Sequence, residues 1–170
     1  MSLLSIFLSL SVSAAALQQP SVLDALRQNS SQECMQVDYQ FSAFSSGVRS
    51  VGEGSVDIQG NTYNMCGNGM EIFCDGKTTW LLDTAAKEVI IEAADSNSSG
   101  FLANPVILLM NLEKSALSYK AEGNRIHLEL PDGTSLEITI MDLKTVDAKK
   151  PEAFRPPVEF GSDWIVTDLR

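Results

Sequence analysis

The feature that most constrains this chain is a run of strict alternation. From Met35 to Ala43, apolar Met35, Val37, Tyr39, Phe41 and Ala43 take turns with polar Gln36, Asp38, Gln40 and Ser42. Successive side chains of a strand point to opposite faces, so a period of two over this length predicts a strand with one buried face and one wet face. The signature recurs. Val56 and Ile58 alternate with Asp57 and Gln59 before a Gly60-Asn61 turn toward Tyr63 and Met65, and Gly67-Asn68-Gly69 then turns into Met70–Cys74. Asp75-Gly76 reads as a two-residue hairpin turn, because glycine accepts the positive φ that primed turns require. It leads into Thr79–Leu82, and Lys87–Glu92 is the next strand. Ile126, Leu128 and Leu130 alternate with Arg125, His127 and Glu129, and a second hairpin turn at Asp132-Gly133 precedes Leu136, Ile138 and Ile140. Gly52 and Gly54 fit a bulge or sharp curvature. Short strands joined by tight turns predict an antiparallel meander.

Two segments are helical. Ser21 caps a short helix with Val22, Leu23 and Leu26 on one face. After a polar linker at 96–100, Asn104 and Pro105 supply a capping side chain and a first residue of suitable φ. From Val106 to Met110 the second helix has no polar residue. A helix resting on one sheet face needs only an apolar stripe. The surplus reads either as a central core helix or as a lid whose extra apolar face meets a ligand. The predicted fold is therefore mainly β with α: a curved antiparallel sheet, an incomplete half-barrel, covered by a short N-terminal helix and an apolar lid helix.

Residues 3–12 are apolar or serine and Ala14-Ala15-Ala16 follows. That run is shorter than the roughly 20 residues a spanning helix needs. Residues 1–16 read as a signal peptide cut near Ala16, and 17–170 as a single soluble, exported domain. The formal net charge of -10 argues against nucleic acid and against general attachment to anionic membranes, since both require clustered cations. Three cysteines, Cys34, Cys66 and Cys74, leave at least one unpaired and are read as small buried apolar residues in preference to a bridge.

Catalytic constellations are missing from the sequence. His127, the one histidine, falls on the polar phase of its strand between Arg125 and Glu129, which leaves no His-rich metal site and no Cys/His nucleophile pair. Asp38, Asp57, Glu71, Glu92, Glu129 and Glu137 are all read on wet phases, where they solubilise the sheet. Neither a Gly-x-Ser-x-Gly elbow nor a phosphate-binding glycine loop occurs. The expectation is a binding protein rather than an enzyme, with no cofactor and no metal.

Several stretches carry a resemblance. Cys74-Asp75-Gly76-Lys77-Thr78-Thr79-Trp80-Leu81-Leu82-Asp83 with Lys87-Glu88-Val89 resembles the DGKT-x-W region of the periplasmic outer-membrane lipoprotein carrier proteins, the LolA family and its Bacteroidetes-type relatives. Gly52-Glu53-Gly54 before Tyr63-Asn64-Met65, the Asn104-Pro105 helix, Phe154-Arg155-Pro156-Pro157 and Val166-Thr167-Asp168-Leu169-Arg170 resemble further parts of that family in the same order. The resemblance implies a periplasmic, monomeric carrier or chaperone. It would sequester the acyl chains of lipid-modified proteins, receiving them from an inner-membrane release complex and passing them to an outer-membrane acceptor. Its cavity would be lined by Val37, Tyr39, Phe41, Tyr63, Met65, Ile72, Trp80, Val89 and Ile91, with Leu102, Ile107, Leu108 and Leu112 from the lid. A binder or sensor of free lipid or another amphiphile would use the same groove. Where the family has a lid-latching arginine this chain has Gln59-Gly60-Asn61, which implies a lid that closes more loosely or is latched differently. The short span from Arg125 to Phe154 implies a half-barrel shortened at one side.

Overall fold

The computed structural model describes residues 21–94, 105–110, 112 and 116–170. The expected signal segment, the 96–100 linker and the Asn104 cap lie outside them. The first helix, α1, spans Val22–Arg27 and is closed by a reciprocal capping box. The Ser21 hydroxyl accepts from the Asp24 N–H while the Asp24 carboxylate accepts from the Ser21 N–H, so two orphan donors of the first turn are satisfied.

Ten strands follow among the described residues: β1 Glu33–Ser45, β2 Val48–Gln59, β3 Thr62–Gly67, β4 Met70–Cys74, β5 Thr78–Asp83, β6 Glu88–Ala93, β7 Ser118–Glu122, β8 Arg125–Glu129, β9 Ser135–Asp147 and β10 Ile165–Asp168. The second helix, α2, spans Pro105–Met110, with proline at its first position as the sequence predicts. One open, curved sheet runs β10-β6-β5-β4-β3-β2-β1-β9-β8-β7, with edges at β10 and β7. All neighbours are antiparallel except β10, which lies parallel to β6. The expected meander is thus two meanders, β1–β6 and β7–β9, joined by the antiparallel β1–β9 pairing, with β10 added in parallel at the far edge. After β9 the chain crosses the back of the sheet and joins its far edge.

Three local expectations are corrected. Asp75-Gly76 is not a two-residue turn, because the Asp75 carboxylate accepts from both the Lys77 and Thr78 N–H groups and widens the connection to 75–77. The Asp132-Gly133 connection is wider still, closing with the Leu130 N–H on the Thr134 carbonyl. Gly52 and Gly54 carry no bulge; the register shift falls in the β1–β9 pairing at Asp38/Tyr39. Gly54 instead makes room. It stands opposite Tyr39, and a Cβ there would come within 2.8 Å of the Tyr39 hydroxyl and of the Cys66 carbonyl.

Pairing fixes the two faces. Val37, Val56, Met65, Ile72, Leu81 and Ile90 stand in one row across six strands. This inner face meets both helices and holds the main core. The outer face is crossed by residues 148–164. Lys149 pairs with Asp57 and bonds Gln59, the Asn64 amide donates to the Ala153 carbonyl at 2.8 Å, and Arg155 pairs with Asp75 at 2.8 Å. Phe160 and Trp164 then meet edge to face, with ring centroids 5.2 Å apart, over Leu82, Val89 and Ile91.

Candidate functional site

The inner face beneath α2 is where most of the expected cavity residues converge. Val37, Tyr39, Phe41, Met65 and Ile72 are buried in one cluster with Val106, Leu109 and Leu112, and Tyr63 and Leu108 pack partly buried against it. The helix turns a row at spacing three toward the sheet, with Val106, Leu109 and Leu112 each at most 2 % exposed. Of the expected lid residues, Leu112 belongs to this row and Leu108 sits at its margin. Leu102 and the side chain of Ile107 lie outside the described residues. Val106 and Leu109 are not singled out by the sequence reading, although their spacing from Leu112 is a signal that could have found them.

Trp80, Val89 and Ile91 are not part of this face. They point outward and pack with Phe73, Leu82, Phe160 and Trp164 under the crossing segment. Their places on the inner face are taken by Thr79, Leu81, Ile90 and Glu92. Glu92 is accordingly corrected from a wet position to a buried one, 3 % exposed. It shares the inner-face row with Tyr63, Cys74 and Thr79. Burial raises the Tyr63 phenol above its usual range, and the nearby Cys74 thiol and Glu92 carboxylate add to that rise. The inner face thus grades from an aliphatic floor at β1–β4 to a polar patch at β5–β6.

Tyr39 anchors the floor. Its hydroxyl donates to the Met65 sulfur at 3.2 Å, and burial pushes its pKa up to about 12. A phenol whose one partner is a thioether is held in place but is not activated for proton transfer. The β2–β3 turn, where the resemblance implies a latch, closes on the loop after α1: the Asn29 amide donates to the Gly60 carbonyl at 2.7 Å, and the Gly60 N–H donates to the Ser30 carbonyl at 2.8 Å.

His127 is half exposed on the outer face with its Nε2 2.9 Å from Glu129. No group of three or more His, Cys, Asp or Glu side chains among the described residues is placed to hold a metal ion. Cys34 and Cys74 are buried, whereas Cys66 is exposed, contrary to the reading of all three as buried apolar residues; the three thiols are unbridged. A cavity of about 680 Å³ opens on the outer face where β2 outruns β3, bordered by Asp38, Glu53, Cys66, Asn68, Glu71 and Met141. Three carboxylates stand on its border, unlike the aliphatic inner face.

No protein-family model matches this sequence, and no curated protein matches it. Among solved structures the fold matches that of a LolA superfamily protein from Nitrosomonas europaea. The match has a TM-score of 0.53 at 12% identity and covers 78% of this chain and 94% of that one. The likeness is one of fold: an open, curved, mostly β structure in both.

Proposed function

We propose that this chain is an exported carrier that receives the acyl chains of lipid-modified proteins on the inner face of its sheet. The observation that carries the reading is the contact between an all-apolar α2 and an aliphatic sheet floor, within a fold shared with a LolA superfamily protein. An acyl chain and the apolar row of α2 offer the same chemistry to that floor. Each methylene removed from water contributes roughly 0.8 kcal/mol, so a guest of two or three chains can replace the helix without any charged contact. The guest enters by displacing α2, and Tyr39, Met65 and Ile72 become its floor. Delivery needs only an acceptor with higher affinity, and no bond is made or broken.

The test is capture. The full exported chain is co-expressed with a lipid-modified protein and purified, and the bound lipoprotein is measured by mass spectrometry. Leu108 is partly buried at the margin of the helix contact, so Leu108→Glu loosens the seating of α2 while sparing the buried row. The expected result is capture by wild type and stronger capture by the variant, with unchanged circular dichroism. Equal capture by both proteins would remove α2 from the mechanism, and retention of free lipid alone would favour the amphiphile-binder reading.

A further inference from the structure

The aliphatic row of the inner face does not end where the helices end. Val37, Val56, Met65 and Ile72 belong to the cluster that the helices cover, each at most 3 % exposed. The next two members emerge from that cover: Leu81 is partly buried against the core, and Ile90 is 41 % exposed. The row is unbroken, because Met65 pairs with Ile72, Ile72 with Leu81 and Leu81 with Ile90. Each strand extends it by about 5 Å. Ile165 of β10 pairs with Glu88 of β6, two residues from Ile90 on the same face, and is 61 % exposed. Leu81, Ile90 and Ile165 thus form an open shelf at the β10 edge, in line with the buried floor. Toward β8 the inner face is closed, since Ile126, Leu128, Leu136 and Ile138 are fully buried.

The shelf is narrow, and its borders are acidic. Side chains on one face of a strand recur every second residue, about 7 Å apart. Two residues from the Leu81–Ile90 pair in one direction stands the Thr79–Glu92 pair, and two residues in the other stands the Asp83–Glu88 pair. The cations of this edge are drawn away from it. Lys87 pairs with Asp163 in the crossing segment, and Arg170 pairs with Asp168, which stands beside outward-facing Ile91. A molecule lying here meets hydrocarbon along its length and carboxylates on both sides.

We infer that this shelf is the landing site of the guest, and that it takes an acyl chain carried on an uncharged linkage such as an ester or an amide. The inference rests on the carrier reading, and adds to it where the chain enters and which polar end the site accepts. The occupant is a hydrocarbon chain because the shelf continues a hydrocarbon floor without interruption. Its linkage is uncharged because a fatty acid or an anionic phospholipid brings a further negative charge to Asp83, Glu88 and Glu92, whereas an ester or an amide brings none. The shelf is open while α2 is seated, so a chain binds there before any rearrangement. It then lies across Leu81 and Ile90, pointing along the row toward Ile72 and Met65, and moves onto the floor as the helix lifts.

The test is fluorescence titration of the full exported chain with a fluorescent monoacylglycerol and with the fatty acid of the same chain. Ile90→Glu is expected to weaken monoacylglycerol binding at least about tenfold, because it sets a charge under the chain. Ile165→Glu, at a more exposed position, is expected to weaken it in the same direction and serves where Ile90→Glu lowers the temperature of unfolding. Val166→Glu, next to it on the outer face, is expected to bind as wild type does. Glu88→Lys is expected to shift the preference toward the fatty acid by roughly two- to fivefold, the size of an exposed charge interaction. Both glutamate variants binding like wild type, or a preference unmoved by Glu88→Lys, overturns the inference. If wild type still captures a lipid-modified protein in that case, the carrier reading stands without the shelf. A wild type that binds neither the monoacylglycerol nor a lipid-modified protein overturns both.

Discussion

Tyr39 shows how one residue links the core to solution conditions. Its ring lies opposite Gly54, its hydroxyl bonds the Met65 sulfur, and burial holds its pKa up at about 12. For an acid whose folded pKa lies above its unfolded value, the native state holds the proton more tightly. The contribution is complete below about pH 10 and is lost as pH rises through the folded value near 12. The difference corresponds to a stability loss on the order of 2 kcal/mol across that window. Tyr39→Phe should therefore flatten the fall in unfolding free energy between about pH 10 and 12, measured by urea unfolding at each pH. Burial raises Tyr63 and Cys34 as well, so the variant should keep part of the slope. An identical slope in both proteins would mean that Tyr39 is not held as its geometry shows.

Elements differ in how plainly the sequence announces them, and the crossing segment explains much of the difference. β1 buries only its inner face for most of its length, so its alternation is legible residue by residue. β5 and β6 are covered by Phe160 and Trp164 on their outer face, while on the inner face Leu81 packs against the core and Ile90 stays exposed. Their runs, Trp80-Leu81-Leu82 and Val89-Ile90-Ile91, are apolar on both phases, and nothing local says which phase faces inward. That is why the sequence alone puts Trp80, Val89 and Ile91 on the wrong face and Glu92 on the wet one. β7 is short and exposed at every residue, so the alternation of Tyr119 and Ala121 with Ser118, Lys120 and Glu122 is too brief to announce a strand. The step where β2 outruns β3 is hidden for another reason: it arises from the unequal lengths of neighbouring strands, which only pairing reveals. The crossing segment itself is testable as a unit. Trp164→Ala removes half of the aromatic pair over Leu82, Val89 and Ile91. For a partly buried ring the expected cost is about 2 kcal/mol, below that of a core tryptophan. The Ile165–Asp168 amides should lose hydrogen-exchange protection first, because β10 adds its pairing only to β6. Unchanged protection there would show that pairing alone holds the edge strand.

At the scale of the whole molecule, the decisive quantity is how firmly α2 rests on the sheet. Burying Val106 and Leu109 contributes roughly 3–6 kcal/mol, whereas ordering the six residues of the helix costs roughly 6–12 kcal/mol of backbone entropy. The sheet surface that the helix covers supplies the balance. Docking is thus a small difference between large opposing free energies, and a single methyl-rich side chain is a large part of it. A guest that needs the floor of Tyr39, Met65 and Ile72 competes with the helix, so its apparent affinity is reduced by the fraction of molecules in which the helix is seated. Leu109→Ala weakens seating by about 2–3 kcal/mol. If the helix and the guest compete, the variant should unfold at lower temperature yet bind a fluorescent fatty acid about 30- to 150-fold more tightly, until the open form predominates. If α2 were instead a permanent part of the core, the same substitution would lower both stability and binding. Opposite signs in the two measurements are what a displaceable helix requires, and an ordinary core helix has no means of producing them.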